Sequence, residues 1–261
     1  MAEPVDEHGD RLGVALELGL DRAVAAVPDP ATDAQLGRTA ARALTKPDAL
    51  DAPADDDVAT DDRHTARVSR PPAWHRRRVD LVDELANARI GQTFNQYAAG
   101  SRAHLLRARL AAYLTARAEA PILLVGEAPG YRGARVSGLP FTSERQLTGT
   151  GPAEATATIV HRVLAELGAL DEVLLWNVVP THPGTETSNR RPSAAEIGAG
   201  LCFTRALGHG RRVVAVGRVA AEALGATYVR HPSHGGAEPF ARGIAATLRR
   251  RRSSDCRLSE R

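Results

Sequence analysis

Four short stretches hold residues able to do chemistry together. Gly126-Glu127-Ala128-Pro129-Gly130 follows the apolar run Pro121–Val125 and sets a carboxylate at its mouth. Phe141 lies in the glycine-containing loop behind it, Asn177 ends the apolar run VLLWN, and His231 opens His231-Pro232-Ser233. A phenyl ring stacks on a flat molecule, and a carboxamide both donates and accepts along its edge. An imidazole stabilises charge that builds on a carbonyl oxygen, and a carboxylate orients water. The set suits a small planar, polar molecule.

These residues fall where predicted strands end. Apolar periodicity predicts helices over 79–88 and 101–118, the second with Ser101 as N-cap, and a strand over Pro121–Gly126. A helix over 154–167, a strand over Val173–Asn177 and a helix over 193–206 follow, the last opened by a Ser193–Glu196 capping box. Then come a strand over 212–217, a short helix over 218–224, a strand over 227–230 and a final helix over about 238–250. Strands alternating with helices mean a parallel sheet covered on both faces. The expected fold is therefore α/β, a three-layer αβα domain over residues 79–252 with a central four-stranded parallel sheet. In such sheets ligands bind beyond the carboxyl ends of the strands, where the four stretches lie.

Before that domain, residues 1–44 are an acidic extension with helix-like spacing at 9–27 and 31–44, read either as a small helical appendage or as disordered throughout. Residues 45–78, rich in Asp, Pro, Ala and Arg, read as a disordered linker, and 253–261 as a flexible tail. Charge divides the chain. Residues 1–62 carry fifteen acidic and five basic side chains, whereas 63–261 carry sixteen acidic and 29 basic. A basic domain behind an acidic head favours a polyanionic partner, and with Lys46 the only lysine the chain's positive charge is almost all arginine, which suits phosphate. Cys202 and Cys256 are the only cysteines, so no disulfide framework or cysteine-only metal site is expected. His161, His182 and His209 lack Cys or carboxylate partners at ligand spacing, so no zinc site is read either. No apolar run approaches the ~20 residues that span a bilayer. The opening MAEPVDEHGD is unlike a signal or transit peptide, which leaves a cytoplasmic protein as the expectation.

GEAPG at 126–130, GLPFTSE at 138–144, Asn177-Val178-Val179-Pro180 and His231-Pro232-Ser233 together resemble the uracil-DNA glycosylase superfamily. The nearest branch is the one with GEAPG in its first motif, the family 4 or iron–sulfur type, and the resemblance spans roughly residues 75–250. It implies a monofunctional DNA glycosylase that hydrolyses uracil or a related deaminated base from DNA and leaves an abasic site, acting as a monomer without cofactor. The same resemblance makes Glu127 the residue that positions water and His231 the donor to the base O2. Gly126, Ala128, Tyr131, Phe141 and Asn177 become base-binding residues. Ser143, Arg190, Pro232, Ser233 and His234 become DNA contacts.

Three departures accompany the resemblance. The iron–sulfur branch uses four cysteines and this chain has two, so no cluster is expected. The acidic pair that follows GEAPG in that branch is replaced by Tyr131-Arg132-Gly133. The loop after His231-Pro232-Ser233 reads His234-Gly235-Gly236, with no bulky apolar residue to fill the gap left by a flipped base. Two rival readings stay open on these grounds. One is a non-catalytic nucleic-acid-binding relative with the same fold; the other is an enzyme acting on a free nucleotide or nucleoside.

Overall fold

The structure is a computed structural model that describes residues 73–259, with side chains from 80 to 250. The acidic head and the linker as far as residue 72 lie outside the described residues. In chain order the elements are α1 (Ala73–Asn87), α2 (Ala103–Ala116), β1 (Ile122–Gly126), α3 (Ala134–Ser137), α4 (Glu144–Thr148) and α5 (Ala155–Glu166). They continue with β2 (Val173–Asn177), α6 (Ala194–Gly208), β3 (Arg212–Val216), α7 (Arg218–Leu224), β4 (Thr227–Val229) and α8 (Ala237–Ser259).

The four strands form one sheet in the order β2-β1-β3-β4, every neighbour parallel. Every residue of β1 and β2 is buried, as a strand covered on both faces must be. Leu123, Val125 and Trp176 are completely shielded from solvent. The fold is the α/β arrangement that alternating strands and helices imply.

Local boundaries differ from expectation for identifiable reasons. The loop after β1 contains two short helices, α3 and α4, each ended by a glycine in the left-handed conformation, Gly138 at φ 78° and Gly149 at φ 74°. Ser101 does not cap α2. The N-cap is Arg102, whose guanidinium instead reaches Glu144 at 2.6 Å. The expected linker ends early because α1 begins at Ala73, directly after Pro71-Pro72, where proline commonly opens a helix. The expected tail is helical as far as Ser259, since no Gly or Pro interrupts the segment after Arg250. The capping box of α6 forms as expected, Glu196 N–H donating to Ser193 Oγ at 3.2 Å and Ser193 N–H to Glu196 Oε2 at 2.8 Å.

Candidate active site

Strand register assembles the site. Gly126 and Asn177 are direct partners across β1 and β2, so both strands reach the rim together. The pairing persists one step past the strands, with Val178 N–H donating to the Gly126 carbonyl at 2.9 Å and Val179 N–H to that of Glu127 at 3.0 Å. On the other side Gly217 N–H donates to the Val229 carbonyl, which brings His231 beside Gly217. A cavity of about 300 Å³ opens at this rim, lined among others by Glu127, Phe141, Asn177, His231, Ser233 and His234.

Phe141 is held rather than merely present. It is 8% exposed and takes φ 52°, a left-handed conformation uncommon for a bulky side chain. Ser137 Oγ donates to the Thr142 carbonyl at 2.6 Å. Thr142 Oγ1 donates to the Pro140 carbonyl and lies 3.1 Å from His161 Nε2. Burial holds the His161 imidazole down at a pKa of about 4, so it stays neutral in this network. Behind the loop, Glu144 accepts from Arg109 at 2.8 Å and from Arg102 at 2.6 Å, which ties α4 to α2. Backbone strain of this kind persists only where the surroundings over-determine it.

The surroundings of His231 favour the uncharged form of its imidazole. Burial lowers its pKa, and the nearby Arg230 and His234 lower it further. Ser233 N–H donates to His231 Nδ1 at 3.2 Å, which leaves the ring proton on Nε2. Such a group donates a hydrogen bond without carrying charge. Glu127 is shifted the other way. Burial raises its pKa above the ordinary carboxylate range, and the Arg191 guanidinium partly offsets the shift.

Several expected site residues sit elsewhere. Tyr131 does not line the cavity; its N–H donates to Asn189 Oδ1 at 2.9 Å and its ring lies under Arg132 at 5.4 Å. Ser143 is fully buried and caps α4 through Gln146, its hydroxyl donating to Oε1 at 2.9 Å, so it presents nothing to a DNA strand. Pro232 is buried as well. Arg190 lines the cavity, but Glu196 takes its guanidinium in a two-pronged ion pair at 2.7 and 2.6 Å. That pair makes it a brace between two segments. Arg190 stays exposed and, with the exposed Arg191 and Arg218, lines an adjoining cleft beside Glu127, where Arg191 also lies 3.7 Å from Glu222.

Two contributors escape sequence reasoning. Glu154, the N-cap of α5, makes no capping bond; its carboxylate lines the cavity instead. A Cβ on Gly130 or on Gly133 would collide with that carboxylate, so the two glycines form its seat. Burial raises its pKa. His182 is fully buried, with one ring nitrogen 2.8 Å from the Pro129 carbonyl and the other 2.8 Å from that of Thr185. It joins the GEAPG loop to the loop after β2. Position 154 carries an ordinary helix-start residue, and only the fold of the preceding loop shows what it faces.

Among the described residues no group of three or more His, Cys, Asp and Glu gathers as a metal site. Cys202 lies exposed on α6 as a free thiol. The arrangement instead offers an aromatic face, a carboxamide, a neutral N–H donor and two carboxylates to one flat, polar guest.

Residues 114–248 match the family model of the uracil DNA glycosylase superfamily, and the chain belongs to that superfamily. The solved structure of wild-type SMUG2 from Pedobacter heparinus superposes with a TM-score of 0.52 at 12% identity. That superposition covers 67% of this chain and 98% of that one, a likeness of fold. No curated protein sequence matches the chain.

Proposed function

We propose that this protein hydrolyses the N-glycosidic bond of uracil, or of a related deaminated base, in DNA and leaves an abasic site. The observation that carries the reading is the convergence of Glu127, Phe141, Asn177 and His231 on one cavity at the strand ends. Phe141 stacks on the extruded base and Asn177 reads its edge. Together these offset the few kcal/mol of unstacking. As the bond to the sugar breaks, its electron pair moves onto the base, and His231 Nε2–H donates to the oxygen where that charge collects. Glu127, as a carboxylate, orients the water that bonds to the sugar carbon and accepts its proton. Such donors accelerate the step because they bind the departing anion more strongly than the neutral base.

The GEAPG motif supports a position nearest the family 4 branch, with this protein acting as a monomer and without that branch's cluster. The basic balance of the domain, with Arg191 and Arg218 beside the cavity, supports a DNA strand over a free nucleoside. A loop of His234, Gly235 and Gly236 after His231 favours single-stranded DNA, where no stack must be wedged apart. The reading is tested with a labelled oligonucleotide carrying one uracil, single- and double-stranded, followed by alkaline cleavage. Cleavage at the uracil is expected, reduced about 10²–10³-fold by His231→Ala. Binding without abasic product would favour the non-catalytic alternative.

A further inference from the structure

Ser233 stands between two imidazoles. Its Oγ is 2.8 Å from His231 Nδ1 and 3.0 Å from His234 Nδ1. Since His231 Nδ1 already accepts the Ser233 N–H, that nitrogen carries no proton. The hydroxyl has one proton and two neighbours. If His234 offers a lone pair at Nδ1, the hydroxyl has two acceptors to choose between. If His234 offers Nδ1–H, the hydroxyl is turned onto His231 alone. The backbone is bent to allow this, with His234 at φ 50° and Gly235 at φ 73°. His234 is exposed and also lines the cavity.

We propose that His234 is a positioning residue of the reaction, donating from Nδ1 to Ser233 Oγ so that the serine hydroxyl donates to His231 Nδ1. The inference rests on the glycosylase reading above. A hydrogen bond received at Nδ1 draws density from the ring and strengthens Nε2–H as a donor, the cooperative effect of a hydrogen-bonded chain. His234 touches neither base nor sugar in this scheme. It acts through Ser233 on His231.

Two variants separate this role from a plain DNA contact. His234→Gly accepts the left-handed backbone and removes the donor. His234→Asn tolerates the same backbone and places an amide nitrogen at the position of Nδ1. Single-turnover base release at saturating single-uracil oligonucleotide is expected to slow about five- to tenfold in His234→Gly. His234→Asn should stay close to the wild-type rate. The ¹⁵N resonance of His231 Nδ1 is expected to move in His234→Gly and to hold in His234→Asn. Equal slowing in both variants would overturn the proposal, as would unchanged rates with weaker binding alone. Should the wild type release no base, the glycosylase reading fails. The ¹⁵N comparison still decides the chain of hydrogen bonds, and an unmoved resonance in His234→Gly overturns it.

Discussion

The Phe141 ring occupies the space in which a Cβ on Gly126 would stand, and Asn177 Oδ1 would lie 3.0 Å from that same atom. Gly126 is therefore where the Phe141 ring and the Asn177 carboxamide meet. Gly126→Ala is expected to push Phe141 aside at a folding cost of about 1–3 kcal/mol. Base release should fall on the order of 10²-fold, the effect of a displacement near 1 Å in a positioned site. Rates measured on variant protein whose circular dichroism matches the wild type check this, and near-normal release would contradict it.

Phe141→Leu tests stacking apart from packing. Leucine keeps most of the buried volume of a side chain that belongs to the core cluster, but has no π-face. Loss of base stacking removes about 1–3 kcal/mol. Affinity for uracil-containing oligonucleotide is expected to drop while affinity for the uracil-free strand is unchanged. An equal drop for both strands would assign Phe141 to the core alone.

The pH dependence of the chemical step follows from Glu127. In the proposed reaction its carboxylate form orients water, and burial raises its pKa, so the proton is held to a higher pH than on an ordinary glutamate. Single-turnover rates should thus fall on acidification from above the usual carboxylate range. Arg191 opposes the shift. Arg191→Gln removes that opposition and should move the midpoint of the decline to higher pH. A midpoint unmoved or lowered in the variant would remove Glu127 from this role.

Glu154 gives a stability prediction. Its pKa in the folded protein is raised by burial, so its uncharged form is the one the fold favours. That contribution is complete below the unfolded-state pKa and is lost as pH rises through the raised folded value. Glu154→Gln should consequently raise the midpoint of thermal unfolding at neutral pH by roughly 2–4 °C. The difference should vanish in acid. A variant less stable at neutral pH would show that the carboxylate has a partner worth more than its burial penalty.

What was legible in the chain followed periodicity. Uninterrupted apolar strands and the capping box at Ser193 and Glu196 announce themselves through local spacing, and the parallel sheet follows from their alternation. Loop destinations did not. Glu154 lines the cavity and Tyr131 does not, because the turn from Gly130 to Gly133 carries the tyrosine away and admits a carboxylate from the start of α5. Nothing in the spacing of those residues encodes that crossing. Ser143 and Arg190 look like exposed phosphate contacts in sequence, yet Gln146 and Glu196 satisfy them within the fold.

The reaction proposed for this protein is hydrolysis at the sugar carbon, in the cavity lined by Glu127 and His231. It is tested most directly by a single turnover of a single-uracil oligonucleotide in H₂¹⁸O, with mass analysis of both products. The expected result is free uracil without label and an abasic sugar carrying one ¹⁸O. Uracil that stays attached to its strand, or label found in the base instead of the sugar, would contradict it.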